Sequence, residues 1–286
     1  MKNLNVILES LFEKQKIKVF AENHSSVHGG DINSAYKLST NHGEFFVKEN
    51  DGTRFPKMFM KESNGLKTLT QSPFKVPQVI LEKENFLVLE WLEKEREEPI
   101  EYWRKRGTSL AELHQITNEN FGFSEDNYIG SLPQINTRKE NWSAFFIENR
   151  LEYQVKLGLD DGRISKDLVM KFEKLYYKFE NLFPIEKPSL LHGDLWSGNV
   201  MNVIGNTPAI FDPAVYFGHR EMDLAMTKLF GGFHRGMYEA YQVSNPLEVG
   251  FEERVGLCNL YPLMVHVNLF GGAYEVQVNQ ILNRLV

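Results

Sequence analysis

Residues 189–213 constrain the fold more than any other stretch of this chain. A short apolar run enters a polar loop that carries Asp194, and Asn199 follows five residues later. A hairpin-like pair of apolar runs then leads to a second aspartate, Asp212. This alternation of apolar and polar segments is typical of short strands joined by turns. The stretch therefore predicts a strand, a loop and a hairpin that present three polar side chains.

Those three side chains are of the types that phosphoryl transfer requires. The reaction needs a carboxylate beside the attacking hydroxyl and oxygen ligands for magnesium on the triphosphate, because positioning and charge neutralisation supply most of the catalysis. Asp194 fits the first role, and Asn199 and Asp212 fit the second. Either residue type alone is common in ordinary turns. The spacing of all three residues together is far more specific for a phosphotransferase loop.

The residues of the motif and their order indicate a family. Residues 192–199 read His-Gly-Asp-Leu-Trp-Ser-Gly-Asn, and a further block covers residues 212–233. Together they resemble the fructosamine kinase (ketosamine 3-kinase) family, a branch of the protein-kinase-like fold that is shared with aminoglycoside and choline kinases. The His-Gly-Asp loop indicates only the superfamily, whereas Leu195-Trp196 and the second block indicate the narrower family. The resemblance runs from Gly29-Gly30 to residues 270–272.

The resemblance implies an α+β, two-lobed protein-kinase-like fold. Residues 1–92 would form an N-lobe with a small antiparallel β-sheet, the nucleotide lid, Lys48 and the hinge. Residues 93–286 would form a larger, mainly α-helical C-lobe with the catalytic loop and the acceptor site. The charged, proline-ended stretch 93–99 is a composition shift typical of a boundary. With 286 residues and 42% hydrophobic content, the chain can bury a substantial core.

Four residues of the first lobe are candidates for the nucleotide site. Gly29 and Gly30 lie in a turn between two strand-like segments, where glycines let a backbone approach a phosphate closely, although a plain hairpin turn is equally consistent with these letters. The resemblance places the phosphate-gripping lysine at Lys48, on a predicted strand over residues 43–49. Glu62 falls within the apolar face of a helix predicted over residues 56–70. A carboxylate there requires a partner, and Lys48 would supply it.

The remaining site residues come from the resemblance. The backbone of residues 90–92 would hydrogen-bond adenine, although these residues by themselves indicate only a core strand. Asp223 would brace the catalytic loop, and His192 would act as a hydrogen-bonded strut within it. The implied hinge residues are Glu90, Trp91 and Leu92, and the implied substrate or supporting residues are His192, Trp196 and Asp223.

Periodicity predicts the other elements. Helices are expected over residues 3–15, 100–116, 141–157 and 166–181, and a buried helix between residues 257 and 270. A strand is expected over residues 17–21, and an irregular loop over residues 120–134. His266 and Asn268, within the buried helix, must be satisfied internally or line a pocket.

Charge and cysteine content narrow the function classes. The 32 basic and 38 acidic residues give a net charge of −6, which disfavours nucleic acid as the main partner and mildly favours cationic substrates. No run approaches the ~18 apolar residues that a membrane span requires, and no signal-peptide core is evident. Cys258 is the only cysteine, so no intrachain disulfide can form, and a reduced buried thiol is expected. These features predict a cytoplasmic protein.

The sequence therefore predicts a kinase that uses ATP and Mg²⁺. The resemblance implies transfer to the 3-hydroxyl of a ketosamine, free or protein-bound, with deglycation as the result. Two alternatives stay open at this point. One is a kinase of the same superfamily with an aminoglycoside or choline-like acceptor, against which Leu195-Trp196 and the block 212–233 argue. The other is a nucleotide-binding pseudokinase, which usually lacks one of the positions that this chain retains.

Overall fold

The computed structural model describes residues 1–16, 18–27 and 32–286. The helices are α1 (Leu4–Gln15), α2 (Met58–Leu69), α3 (Ile100–His114), α4 (Trp142–Phe146), α5 (Tyr153–Asp160), α6 (Lys166–Tyr176), α7 (Glu221–Leu229), α8 (Arg235–Ser244), α9 (Phe251–Phe270) and α10 (Ala273–Leu285). The strands are β1 (Ala21–Val27), β2 (Ser34–Thr40), β3 (Gly43–Glu49), β4 (Val79–Glu82), β5 (Phe86–Glu90), β6 (Asn127–Ile129), β7 (Leu132–Gln134), β8 (Ser189–Leu191), β9 (Val200–Val203), β10 (Thr207–Ile210) and β11 (Tyr216–Gly218).

The chain forms two compact units whose limits differ from the predicted boundary at residues 92/93. The first contains Met1–Tyr102 and Gly198–Pro213, and the second contains Trp103–Ser197 and Ala214–Val286. The β9–β10 hairpin thus belongs to the first unit although it was expected in the C-lobe. Backbone hydrogen bonds explain its placement, since Lys75 N–H donates to Pro208 O at 2.9 Å and Glu95 N–H donates to Asn202 O at 2.8 Å.

An antiparallel five-stranded sheet in the order β1-β2-β3-β5-β4 dominates the first unit. Side chains alternate between the two faces of a strand. On β3, Phe45 and Val47 join the buried cluster that includes Ile7 and Leu11 of α1. Lys48, the residue after Val47, faces the other side and contacts Glu62 of α2. The alternation therefore places α1 against one face of the sheet and α2 against the other.

The second unit is built mainly of helices around one apolar core. α9 is apolar almost all round, as predicted, and its Leu260, Met264 and Val267 are fully buried. They join a cluster with α4, α5, α6 and α10 that is rich in aromatic side chains, including Phe146 and Phe172. α4 continues through a π-helical segment, Ile147–Glu152, into α5. This core carries the antiparallel pair β8 and β11, which flanks the loop at residues 192–196.

Several sequence-based predictions of local structure need correction. The strand expected at residues 17–21 begins only at Ala21, and Ile17 lies outside the described residues. The irregular loop at residues 120–134 contains the β6–β7 hairpin, in which Gly130 adopts φ +59° at the turn. The helix expected to reach residue 181 ends at Tyr176 and is followed by a separate 3₁₀ turn. Local periodicity could not locate these ends because short hairpins and helix ends depend on tertiary packing.

The described helices include none with the length and apolar character that a membrane crossing requires.

Candidate active site

Lys48 lies at the centre of a buried ion cluster in the first unit. Its Nζ donates to Oε1 and Oε2 of Glu62, each at 2.8 Å, and to Oδ1 of Asp212 at 2.9 Å. The side chains of Lys48 and Glu62 are 7% and 9% exposed, whereas that of Asp212 is 38% exposed. The pairing of Lys48 with Glu62 is the one that the apolar helix face predicted. The direct contact with Asp212 was not predicted.

The electrostatics of this cluster keep Lys48 charged. Burial acts to lower the pKa of Lys48, but the charges of Asp212 and Glu62 outweigh it and hold the pKa well above its usual value. Burial raises the pKa of Glu62 to about 7, and the ammonium of Lys48 offsets part of that rise. The cluster therefore presents a fixed ammonium held in one position by two carboxylates. Such an ammonium can bind phosphate oxygens as a point charge.

Asn199 and Asp212 are brought together by the β9–β10 hairpin. The register pairs Val200 with Ile210, so the residues just outside the pair lie side by side. Phe211 N–H donates to Asn199 O at 3.2 Å, and Asn199 Nδ2 donates to Asp212 O at 3.5 Å. Asp212 adopts φ +53°, a left-handed conformation that is uncommon outside glycine and turns its carboxylate toward Lys48.

The donor set at this hairpin fits magnesium. One carboxylate and one amide oxygen are hard ligands, and Mg²⁺ is typically bound by one or two carboxylates together with substrate phosphates and water. The described residues contain no group of three or more His, Cys, Asp or Glu side chains arranged to hold a metal. A sparse site that shares its cation with a nucleotide is consistent with both observations.

The catalytic-loop segment, residues 192–196, lies in the second unit. Gly193 adopts φ +83°, and a Cβ there would lie 2.0 Å from the carbonyl oxygen of Ala214. Only glycine fits this position, because a side chain would both strain the backbone and clash with it. The neighbouring Ala214 N–H donates to His192 O at 2.9 Å. The tight turn fixes the backbone from which half-buried Asp194 projects.

The predicted supporting residues contact this loop. Asp223 accepts hydrogen bonds from the backbone N–H of His192 at 2.7 Å and of Gly193 at 2.9 Å. The fully buried His192 accepts the N–H of Asp194 on its Nδ1 at 3.3 Å. The backbone N–H of Trp196 donates to the backbone oxygen of Asp194 at 3.1 Å, and the Trp196 ring lies edge-on to that of Phe230, with 6.3 Å between the ring centroids. Asp223 and His192 therefore have the geometry of a brace and a strut.

The predicted hinge residues lie at the end of β5. Glu90 N–H donates to Gln78 O at 2.8 Å, and the Glu90 carboxylate pairs with Lys75 at 2.7 Å. Trp91 donates its ring N–H to Glu93 at 3.0 Å, and Leu92 follows it half-buried. The N–H of Glu90 is thus used within the sheet, so a nucleobase would have to use other backbone groups of this segment. Gly29 and Gly30 lie outside the described residues.

Sequence reasoning missed two buried residues, one beside Lys48 and one in contact with Asp223. Glu49, the neighbour of Lys48, is buried and accepts the backbone N–H groups of Lys2 and Asn3 at 3.0 and 2.7 Å, which anchors the start of α1. His114, at the end of α3, contacts Asp223. A histidine among the apolar positions of an amphipathic helix was the available signal.

The structure has a kinase-like fold. Its features are a lysine held by a helix glutamate, an aspartate and an asparagine at the base of a hairpin, and a loop aspartate whose backbone is braced. The fold matches the gentamicin complex of the aminoglycoside phosphotransferase APH(2")-IIa with a TM-score of 0.58 over 98% of this chain and 95% of that one, at 16% identity. That likeness shows the fold alone.

The chain belongs to the fructosamine kinase family, whose model matches residues 4–286. It is 39% identical to a probable ketoamine kinase of Enterococcus faecium, over 90% of this chain and 92% of that protein. It is 38% identical to a chloroplastic protein-ribulosamine 3-kinase of Arabidopsis thaliana, over 90% of this chain and 81% of that protein. A crystal structure from Thermobifida fusca, provisionally designated a fructosamine-3-kinase, has a TM-score of 0.89 at 32% identity and covers 98% of both chains.

Proposed function

We propose that this protein is an ATP-dependent kinase that phosphorylates the 3-hydroxyl of ketosamines, sugar adducts of lysine side chains or free amines. The observation that carries the proposal is the intact ion cluster of Lys48, Glu62 and Asp212 in a chain of the fructosamine kinase family. A pseudokinase usually lacks one such position. Here the lysine, the candidate base and both candidate metal ligands are present.

Each residue has a distinct role in this proposal. Lys48 binds phosphate oxygens of ATP and is oriented by Glu62. Asp194 orients the acceptor hydroxyl and takes its proton as the oxygen attacks the γ-phosphoryl group and ADP leaves. Asn199 and Asp212 would hold Mg²⁺, which when bound neutralises charge on the phosphates. Asp223 and His192 keep the backbone around Asp194 in one conformation.

The chemistry of a ketosamine suits this chain. Its secondary amine is protonated near neutral pH, and the net charge of −6 favours a cationic substrate over a neutral sugar. The hydroxyl must lie within hydrogen-bond reach of Asp194, so one position on the sugar is modified. A phosphate on the 3-hydroxyl makes the adduct prone to eliminate inorganic phosphate. The adduct then breaks down and releases the original amine. The family and the ribulosamine 3-kinase relative support that position.

The test is incubation with ATP, magnesium and a ribulosamine-modified lysine, followed by mass spectrometry and phosphate assay. We expect a phosphorylated adduct first, then free lysine and inorganic phosphate. Fructosamine, choline, an aminoglycoside and free ribose serve as competing acceptors, and Asp194→Asn serves as the inactive control. The proposal fails if free ribose or choline is phosphorylated as readily as the ribulosamine, or if the phospho-adduct never releases its amine.

We also propose that the protein works in the cytoplasm. Cys258 is buried and is the only cysteine of the chain, which suits a reducing compartment.

A further inference from the structure

A fully buried histidine lies behind the aspartate that braces the catalytic loop. The side chains of His114 and Asp223 are 0% and 2% exposed, and Nε2 of His114 lies 3.4 Å from Oδ2 of Asp223. On its other side, Nδ1 of His114 lies 2.9 Å from the hydroxyl of Tyr241, which is also buried. The histidine therefore connects a buried phenol to a buried carboxylate.

The hydrogen bonds define a single direction for the protons. An ionised carboxylate only accepts, so the His114 nitrogen that faces Asp223 carries the hydrogen. A neutral imidazole has one N–H, so Nδ1 must accept the hydroxyl hydrogen of Tyr241. Arg220 donates to the same hydroxyl oxygen and leaves its hydrogen for the ring. Hydrogen bonds are therefore donated from Arg220 to Tyr241, from Tyr241 to His114 and from His114 to Asp223.

The outer end of this chain of hydrogen bonds is firmly held. Arg220 donates to both carboxylate oxygens of Glu186 at 2.7–3.1 Å. It also donates to the carbonyl oxygens of Asn245 at 2.8 Å and Pro246 at 2.7 Å. Because the guanidinium is fixed by four acceptor atoms, the Tyr241 hydroxyl has one preferred orientation. That orientation is transmitted to the His114 ring.

At the inner end, His114 acts on the catalytic loop through Asp223. The two oxygens of Asp223 accept the N–H groups of His192 and Gly193, so the orientation of this carboxyl group sets the backbone at the start of the loop. A buried carboxylate is costly unless donors surround it. The distance of 3.4 Å is longer than an ideal N–H···O bond, so the ring stabilises Asp223 mainly as an oriented dipole. The facing phenols of Tyr216 and Tyr241 stay neutral, since burial raises the pKa of each.

We propose that His114 is a positioning residue: held by Tyr241 with its hydrogen on Nε2, it donates toward Asp223, orients that carboxyl group and thereby fixes the loop backbone that carries Asp194. Its effect on turnover rests on the proposed kinase function, whereas its effect on the loop backbone does not.

The test compares three variants. His114→Leu removes both hydrogen bonds, whereas His114→Gln retains an amide donor and an amide acceptor on a side chain of similar reach. Asn268→Leu is the matched control, because it also replaces a buried polar side chain of the second unit, but one whose partner is Gln154. Thermal melts separate the loss of stability that all three share from effects on the loop.

Hydrogen exchange of the His192 and Gly193 amides is the readout that does not depend on activity. We expect exchange roughly tenfold faster in His114→Leu, which corresponds to one lost hydrogen bond, and near wild type in His114→Gln and Asn268→Leu. The kcat for the ketosamine should fall about tenfold in His114→Leu with KM for ATP unchanged, and His114→Gln should restore most of it. Equal exchange rates in His114→Leu and Asn268→Leu would overturn the positioning role.

Nitrogen-15 NMR of the imidazole tests the tautomer in the folded wild type. In the wild type we expect a single N–H, on Nε2 of His114. In Tyr241→Phe, where Nδ1 has lost its hydrogen-bond donor, we expect a mixture of the two tautomers. A proton on Nδ1, or a doubly protonated ring in the wild type, would overturn the assignment.

If the wild type lacks ketosamine kinase activity, the proposed function fails, and hydrogen exchange and NMR still decide the role of His114. Tyr241→Phe also serves if His114→Leu does not fold.

Discussion

Replacing Lys48 by methionine should separate the structural and the chemical roles of its ion cluster. The change removes the ammonium that donates to both oxygens of Glu62 at 2.8 Å and leaves that carboxylate 9% exposed beside Asp212. Breaking a buried ion pair by removing one partner costs about 3–5 kcal/mol, because an uncompensated charge stays buried. Burial already raises the pKa of Glu62 to about 7 with the ammonium in place, so the full cost should appear at alkaline pH and should shrink as the pH falls and the carboxylate takes up a proton.

Adding Glu62→Gln should recover part of that stability. At alkaline pH, where Glu62 of Lys48→Met is ionised, the double variant buries an amide in place of a charge, and an unsatisfied buried amide costs about 1–3 kcal/mol. We therefore expect the double variant to be more stable than Lys48→Met by about 2 kcal/mol. Turnover should behave differently: Lys48→Met removes most of it, and Glu62→Gln costs little more, since residues that act as a unit are non-additive.

Calorimetric melts and a coupled ADP-release assay measure the two quantities on the same samples. Lys48→Met should lower the unfolding midpoint by roughly 5–15 °C. The matched control is Lys67→Met on the same helix α2, whose pair with Glu82 is 60% and 28% exposed, so its cost should stay within about 1 kcal/mol. Fully additive losses of turnover, or a double variant less stable than Lys48→Met, would contradict the reasoning.

Three further predictions concern the loop, the metal ligand and the thiol. Asp212→Asn should weaken magnesium-dependent nucleotide binding, whereas Asp194→Asn should preserve binding and reduce the rate about 10²–10⁴-fold; calorimetric titration with the opposite pattern would reverse the assignment. Gly193→Ala, which places Cβ 2.0 Å from Ala214 O at φ +83°, should abolish turnover and lower stability by more than about 1 kcal/mol, and an active, stable variant would refute the tight-turn argument. Burial raises the pKa of the Cys258 thiol, so Ellman's reagent should label it only as fast as the protein unfolds, and immediate labelling of the native protein would contradict its burial.

Much of the fold and part of the site could be predicted because the relevant signals are local. The helical period identified α1, α2 and α9, and the apolar face of α2 showed that Glu62 needed a buried partner. The apolar runs that flank Gly205 and Asn206 identified the hairpin that aligns Asn199 with Asp212. Spacing along the chain is enough for such features, because a helix face or a short hairpin is defined by neighbouring residues.

The sequence by itself determined which residue types are available for phosphoryl transfer and in what order they occur. Only the tertiary structure decided that Asp212 shares the ammonium of Lys48, 164 positions away, and that His114 lies behind Asp223, 109 positions away. No local pattern encodes such partners, because they are set by how separate helices and strands pack. The same packing keeps the pKa of Lys48 high and orients the buried His114 ring, since both effects depend on burial and on charges contributed by distant parts of the chain.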